Sequence, residues 1–189
     1  ETTAEMLAQL FAYRLAVMKA DLAAHERVRA RGPLRVAVTG ASGLLGGALV
    51  PLLLGGGHEV ARFVRGADRG GLGQPIAWDP GRGVLDPASL EGVDAVVHLA
   101  GENVAGGRWT AERKERIRSS RVGPTRLLAE TLAKLRNPPR ALVCASAVGV
   151  YDPQAKAPLP EDGAQASGFL GDVVRAWEAA ADPARDKGV

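Results

Sequence analysis

The stretch "VAVTGASGLLGGALV", residues 36–50, carries three glycines spaced three apart at the end of an apolar run. An apolar strand followed by closely spaced glycines and then a helix is typical of a turn that holds a pyrophosphate. Gly40 would allow the tight turn, Gly43 the approach of the backbone to phosphate, and Gly46 close packing of the helix. The amino end of that helix attracts anions. The segment therefore predicts dinucleotide binding, against the alternative of a tight connection without a ligand.

The rest of the chain alternates short apolar runs with helical patterns. The apolar runs are "LRVAVTG", "HEVARFV", "PIAW", "DAVVHLA" and "ALVCAS", and the helical patterns lie near 44–54, 110–135 and 169–181. This alternation predicts a doubly wound parallel sheet of the Rossmann type, an α/β fold with helices on both faces. The nearly continuous apolar character of "AVVHLA" and "ALVCASAV" predicts strands that are covered on both faces.

A separate helix is predicted before this domain. Between Leu7 and about Arg29 the apolar residues recur at helical spacing, and "RGPL" ends the pattern because Pro33 disfavours helical geometry at Gly32. We therefore divide the chain into an amphipathic helix over 1–31 and a Rossmann domain over 34–189. The apolar stripe predicts that the helix packs on protein outside the fold that begins at Leu34. The stripe consists of Leu7, Phe11, Leu15, Met18 and Leu22.

Composition excludes several function classes. The 189 residues include 24 Lys plus Arg and 21 Asp plus Glu, a net charge of +3 that is too weak for general nucleic-acid affinity. No apolar stretch reaches the length of a membrane span, the three histidines are scattered, and the single cysteine, Cys144, is read as a buried structural thiol. We expect a cytoplasmic protein with a small-molecule substrate and with no metal, membrane or nucleic-acid partner.

The end of the second predicted strand indicates which dinucleotide binds. NAD sites usually place an acidic residue there, but "HEVARFVRG" has Glu59 at the start of the strand and Arg65 at its end. An arginine at that place suits the 2′-phosphate of NADP through charge-assisted hydrogen bonds. The alternative is that Arg65 is an ordinary solvated cation.

Several ordered motifs resemble a known family. The GxxGxxG turn, "DAVVHLAGEN", "SRVGPTRLLAETL" and "ASAVGVYD" resemble the extended, epimerase-like branch of the short-chain dehydrogenase/reductases. With "RWTAERKERIRSSR" and "FLGDVVRAWEAAA", the likeness narrows to the SulA-type nucleoside-diphosphate-sugar epimerase group and covers roughly 34–189. "LFAYR…ADLAAH" resembles the last helix of a START-like domain that precedes this module in fusion members. The resemblance implies an upstream START-like domain and a truncated fold, with the substrate lobe beyond Val189.

The resemblance also implies a set of cofactor-binding residues. Arg121 matches a position that contacts the cofactor in this group, although the broader branch carries an Asn there. The alternative for Arg118 and Arg121 is a solvated basic helix. The implied NADP-binding residues are Gly40, Ser42, Gly43, Leu44, Leu45, Gly46, Arg65, Leu99, Ala100 and Arg121.

The residues that would catalyse the reaction depart from the superfamily pattern. Its enzymes use a Tyr as acid/base, helped by a Lys four residues later, but Phe169 and Val173 stand in these places. The place of the Ser or Thr that orients the substrate falls on Ala147, and Ser146 beside it faces the opposite side of the strand.

Tyr151 is a candidate substitute acid, but Lys156 lies five residues on in "YDPQAKAP", a segment that is not predicted to be helical. The catalytic residues stay unassigned. Two functions follow: an NADP-dependent, epimerase-like oxidoreductase acting on a hydroxyl-bearing or nucleotide-sugar substrate, or an NADP-binding or sensor module without turnover.

Overall fold

The computed structural model describes residues 2–189. Its centre is a six-stranded sheet in the order β4-β3-β2-β1-β5-β6. The strands are β1 (Arg35–Thr39), β2 (Glu59–Val64), β3 (Gln74–Asp79), β4 (Val84–Leu85), β5 (Ala95–His98) and β6 (Ala141–Cys144). All neighbouring strands are parallel except β3 and β4. The predicted doubly wound α/β fold is confirmed, and the carboxyl ends of β1, β2, β5 and β6 meet at one edge.

Helices lie on both faces of the sheet. The helices of the described residues are α1 (Thr3–Val28), α2 (Leu44–Gly55), α3 (Ala111–Ala133), α4 (Phe169–Ala179) and α5 (Asp182–Asp186), and two of them, α2 and α3, provide the main packing described next. On one face, α2 packs Val50 against Val36, Val38 and Val60. On the other, α3 packs Leu128 and Leu132 against a larger core that includes Phe63, Trp78 and Val96. Two layers of apolar side chains therefore hold the sheet between the helices.

The short antiparallel strand β4 was not predicted. Asp79 and Arg82 lie on a tight turn after β3, and Gly83 completes it with a φ of +68°. The chain then reverses, and Trp78 pairs with Leu85. Two residues are too few to show a strand period in sequence.

The prediction that both faces of β6 are covered is wrong. Leu142 packs into the core beneath α3, but Val143, on the other face, is 56% exposed. Among the described residues β6 is an edge strand, and α2 lies over β1 and β2 instead. A nearly continuous apolar run does not by itself tell whether both faces of a strand are covered.

Helix α1 stands outside the two cores. Thr2 and Glu5 form a capping box at its start, and Gly32 ends the following turn with a φ of +75°. None of its residues is buried, and the predicted apolar stripe is exposed. The imidazole of His25 packs directly on Gly56 at the end of α2, where a Cβ atom would lie 2.4 Å from Nδ1. Within residues 2–189, no helix is long and apolar enough to cross a bilayer.

Candidate functional site

The glycine turn between β1 and α2 is built by close contacts that exclude side chains. Gly40 has a φ of +67°, and a Cβ atom there would lie 2.9 Å from the carbonyl carbon of Leu99. A Cβ atom on Gly46 would lie 2.2 Å from the carbonyl oxygen of Gly40. The N–H of Gly43 donates to that same oxygen at 2.9 Å. A Cβ atom at Gly40 or Gly46 would overlap backbone atoms, so these two positions require glycine.

The amino end of α2 can bind an anion. Gly43 is the N-cap residue, and no side chain accepts a hydrogen bond from the first turn of the helix. The side chains of Leu44 and Leu45 point into solvent, with Leu44 93% exposed. The first N–H groups of a helix have no partner within it, so those of this turn face outward as donors. Such a cradle of backbone donors fits a pyrophosphate.

A cleft of about 1360 Å³ opens beside this turn. Four connections at the carboxyl edge of the sheet line it: the glycine turn after β1, the loop after β2, the turn after β3, and the loop after β5. Residues of α3 close the remaining side. The lining includes Gly40, Ser42, Gly43, Arg62, Arg65, Asp68, Leu99, Ala100, Ser120 and Gly123. The cleft thus lies where open α/β sheets bind nucleotides.

A chain of buried polar side chains lies beneath the cleft. The hydroxyl of Thr39 accepts hydrogen bonds from the N–H groups of Leu99 (3.0 Å) and Ala100 (3.1 Å). The same hydroxyl lies 2.7 Å from Nδ1 of His98. On the other side of the ring, Nε2 lies 3.0 Å from the hydroxyl of Thr125 on α3. These hydrogen bonds connect the loop after β5 to β1 and to α3.

The hydrogen bonds around His98 determine the tautomer of its imidazole. Because the Thr39 oxygen already accepts two N–H groups, its own hydrogen goes to Nδ1, and the ring proton of neutral His98 sits on Nε2. The Thr125 hydroxyl accepts that proton, and it also accepts the indole N–H of Trp177 on α4 at 3.0 Å. Burial lowers the pKa of His98 to about 4, so the ring is neutral near pH 7.

Arg121 braces the wall of the cleft from α3. Its guanidinium donates to the carbonyl oxygens of Glu102 (2.9 Å) and Ile117 (3.0 Å) and lies over the Trp177 ring, 5.2 Å from its centroid. Ser120 adds a hydrogen bond from the N–H of Glu102 at 3.1 Å. The structure therefore places Arg121 as a support of the loop after β5, and its predicted contact with the cofactor stays a prediction.

The end of β2 presents two arginines to the cleft. Arg65 lines it with an exposed side chain and makes no ion pair among the described residues. Arg62, earlier on the strand, is buried and donates to both carboxylate oxygens of Asp68 in the following loop. Glu59 lies at the far end of the strand, as predicted. Sequence reasoning missed the Arg62–Asp68 pair, for which the charge inside an otherwise apolar strand was the available signal.

The region that corresponds to the superfamily's acid/base group contains aromatic and apolar residues. Phe169 begins α4, with the Trp109 ring at 5.7 Å and the Lys114 ammonium at 5.4 Å from its ring centroid. Val173 is buried. Residues 169 and 173 therefore supply neither the hydroxyl of the Tyr nor the ammonium of the Lys, and the ammonium nearby belongs to Lys114 on α3.

Two other polar side chains near β6 already form hydrogen bonds with other parts of the protein. The Tyr151 hydroxyl donates to the carbonyl oxygen of Glu161 at 3.3 Å, and Ser146 donates to Glu178 on α4 at 2.5 Å. Lys156 lies in a non-helical segment, as predicted. Cys144 is half-buried rather than fully buried, and burial raises the pKa of its thiol to about 11.

This geometry agrees with the comparison to protein families. Residues 36–170 match the model of the NAD dependent epimerase/dehydratase family. The chain belongs to that family. The match begins in β1 and extends into α4, so it includes the glycine turn and the whole lining of the cleft. The predicted resemblance to epimerase-like short-chain dehydrogenase/reductases is therefore confirmed at the level of the family.

Individual relatives agree with this family membership. An epimerase family protein of Mycobacterium tuberculosis is 38% identical over 153 residues, which are 81% of this chain and 50% of the relative. The chain spans about half the length of the curated relatives it matches. A crystal structure of a nucleoside-diphosphate sugar epimerase from Corynebacterium glutamicum, 36% identical, has a TM-score of 0.79 and covers 100% of this chain with 40% of its own.

Two further structures contain cofactors. Human epimerase family protein SDR39U1, solved with NADPH, is 35% identical with a TM-score of 0.65 over 78% of this chain and 48% of its own. MoeE5, solved with UDP-glucose and NAD, is 27% identical with a TM-score of 0.63, and the match covers 78% of this chain and 48% of MoeE5. Structural neighbours of this chain have therefore been solved with NADPH and with NAD.

Proposed function

We propose that this chain is the NADP-binding part of an epimerase-like oxidoreductase of the SulA-type group. The observation that carries the proposal is the cleft, in which the glycine turn and Arg65 line the same cavity. A pyrophosphate at the turn would extend its adenosine toward the end of β2. There Arg65 offers an unpaired cation to a 2′-phosphate. NADPH in the structure of human SDR39U1 supports this choice of dinucleotide.

We assign the predicted residues to parts of the cofactor by their places in the cleft. The N–H groups at Gly43 and the first turn of α2, including Leu44, Leu45 and Gly46, would hold the pyrophosphate, with the hydroxyl of Ser42 beside them. Leu99 and Ala100 would form the floor, because their backbone lies against Gly40. Arg121 would act through the loop it supports.

Substitution of Arg65 tests the choice of dinucleotide. We expect the full-length protein to bind NADPH more tightly than NADH, and Arg65→Asp to weaken NADPH about tenfold to a hundredfold, the worth of one charge-assisted hydrogen bond. NADH affinity should change much less, because NADH lacks the phosphate. Titration of both dinucleotides into both proteins measures this, and equal affinities of the unsubstituted protein for the two would contradict it.

The substrate class follows from the relatives. The Corynebacterium protein is a nucleoside-diphosphate sugar epimerase and MoeE5 was solved with UDP-glucose, so we infer that the substrate is a hydroxyl-bearing small molecule, with a nucleotide sugar as the first candidate. Because this chain spans about half the length of its relatives, we place the substrate lobe outside the described part. The predictions of no nucleic-acid and no membrane partner stand as proposals.

A second function is favoured by the composition of the region near α4. Phe169 and Val173 cannot exchange a proton, and the Tyr151 hydroxyl already donates to a backbone carbonyl. An NADP-binding or sensor module without turnover would need no such group. The cleft supports both functions equally, because both require the dinucleotide.

Hydride transfer separates the two functions. The full-length protein is mixed rapidly with NADPH and a panel of carbonyl and nucleotide-sugar substrates. We expect the Tyr151→Phe variant to turn over any substrate at the same rate as the unsubstituted protein. The reason is that the Tyr151 hydroxyl is engaged with Glu161. Absorbance at the NADPH band in a stopped-flow instrument measures the rate. Turnover that Tyr151→Phe abolishes would show that Tyr151 is the acid, and no turnover with any substrate would favour the binding module.

We also propose a contact between α1 and an upstream START-like domain. The exposed stripe on α1 supports it, and so does the likeness to the longer Corynebacterium chain, which includes α1. A cytoplasmic location is proposed on the ground that the single cysteine, Cys144, gives no disulfide framework.

A further inference from the structure

Arg62 occupies an unusual place for an arginine. It lies inside β2 beside Val38 of the central strand, is only 8% exposed, and lines the cleft. One nitrogen, Nη2, donates to both carboxylate oxygens of Asp68, at 2.8 and 2.9 Å. The neighbouring Nε is buried and has no hydrogen-bond partner among the described residues. Asp68 therefore provides the guanidinium with its ion pair.

Stability alone does not explain this pair. Arg62 loses most of its hydration in this pair, whereas the Asp68 side chain stays partly exposed, and one such pair often does not offset the cost of burying a charged side chain in place of an apolar one. The unpartnered Nε adds a further cost. Since an apolar side chain on β2 would fill the space without these costs, the pair points to a role in binding.

Asp68 lies where it would affect the choice of dinucleotide. It is the only acidic residue of the loop over 65–73, and this loop lines the cleft next to Arg65. The hydrogen bonds from Arg62 and from the N–H of Gly70 hold the pKa of Asp68 below its usual value, so it is charged. A free carboxylate at the end of the second strand favours NAD, because it binds the ribose hydroxyls and repels a 2′-phosphate.

We infer that Arg62 is a specificity-determining residue that masks the carboxylate of Asp68 and thereby lets this end of the cleft accept a phosphorylated ribose. The inference rests on the proposed function. With Arg62 in place, the charges of Arg62 and Asp68 cancel, and Arg65 and Arg69 leave the loop positive. Without Arg62, the carboxylate is free to bind the hydroxyls of an unphosphorylated ribose. The choice of cofactor thus depends on a residue that need not touch it.

A double-mutant cycle on the full-length protein tests the inference. Arg62→Met should weaken NADPH binding about tenfold and leave NADH binding unchanged or tighter. Asp68→Asn alone should leave NADPH binding unchanged or tighter. In the double variant, Arg62→Met with Asp68→Asn, most of the NADPH affinity should return, because the carboxylate that repels the phosphate is gone. Arg185→Met, which breaks a solvent-exposed Arg–Asp pair with Asp182 on α5 outside the cleft, is the control for loss of an arginine charge away from the site.

The outcomes are distinguishable. If the unsubstituted protein does not prefer NADPH, the proposed function fails and this inference fails with it. If it prefers NADPH and Arg62→Met keeps that preference, only the inference is overturned. A double variant that stays as weak as Arg62→Met also overturns it. Thermal unfolding of each variant, followed by circular dichroism, identifies a folding defect. If Arg62→Met does not fold, Arg62→Lys replaces it as the test. Arg62→Lys keeps a positive charge near Asp68, so it must retain the preference for NADPH.

Discussion

Gly46→Ala is expected to destabilise the protein by about 3 kcal/mol, at the upper end of what overpacking costs. The added methyl group would lie 2.2 Å from the carbonyl oxygen of Gly40 and 2.7 Å from the Cα atom of Ala41, and neither backbone atom can move without opening the turn. Urea denaturation followed by circular dichroism measures the change. NADPH affinity should fall in parallel, since the turn holds the proposed pyrophosphate site.

The adjacent glycine provides the control. Gly47 also lies in α2, but a Cβ atom there has no neighbour within 4 Å. Gly47→Ala should therefore be neutral or stabilising by up to about 1 kcal/mol, the helix propensity gained by alanine over glycine. If the two substitutions had the same effect, the close approach of α2 to Gly40 would not be what restricts residue 46.

Acid should weaken the fold through His98. Its pKa is about 4 in the folded protein and near 6.5 when unfolded, so between these values the unfolded chain binds a proton that the folded protein does not. Stability from this group is therefore complete above pH 6.5 and decreases as the pH falls toward 4, by about 3 kcal/mol in all. Urea denaturation at pH 7 and pH 4 measures the loss.

His98→Gln removes the titrating group and thereby isolates the contribution of His98 to the loss of stability in acid. The glutamine amide can replace part of the hydrogen bonding with Thr39 and Thr125, so this variant should be less stable at pH 7 yet lose about 3 kcal/mol less than the unsubstituted protein between pH 7 and pH 4. An identical loss in both proteins would mean that other groups cause the acid sensitivity.

The sequence was sufficient for most of the fold because its local patterns are strong. The spacing of Gly40, Gly43 and Gly46 after an apolar strand predicts the turn, and the run before Pro33 predicts the separate helix. The carboxyl-edge placement of Arg65, Leu99 and Ala100 follows from strand order alone. These features depend on residues close in sequence, or on the general rule that parallel strands end together.

Features that depend on long-range contacts were not predicted. His98 reads as one more residue of an apolar strand, and only the fold brings it between Thr39 and Thr125. Likewise, Arg62 and Asp68 are six residues apart, but their pairing across the cleft wall needs the course of the loop after β2. The open face of β6 depends on which strands α2 covers. In each case the residue that determines the contact lies in a different strand, helix or loop.

The central place of β1 in the sheet has a consequence for folding. This strand, the first among the described residues, pairs with β5 as well as β2, and the Thr39 hydroxyl accepts a hydrogen bond from the amide of Leu99, 60 residues later. Closing so long a loop costs chain entropy before any contact compensates for it. During synthesis the glycine segment therefore leaves the ribosome well before Leu99 and Ala100 do, and the proposed nucleotide site is complete only after β5 has joined the sheet.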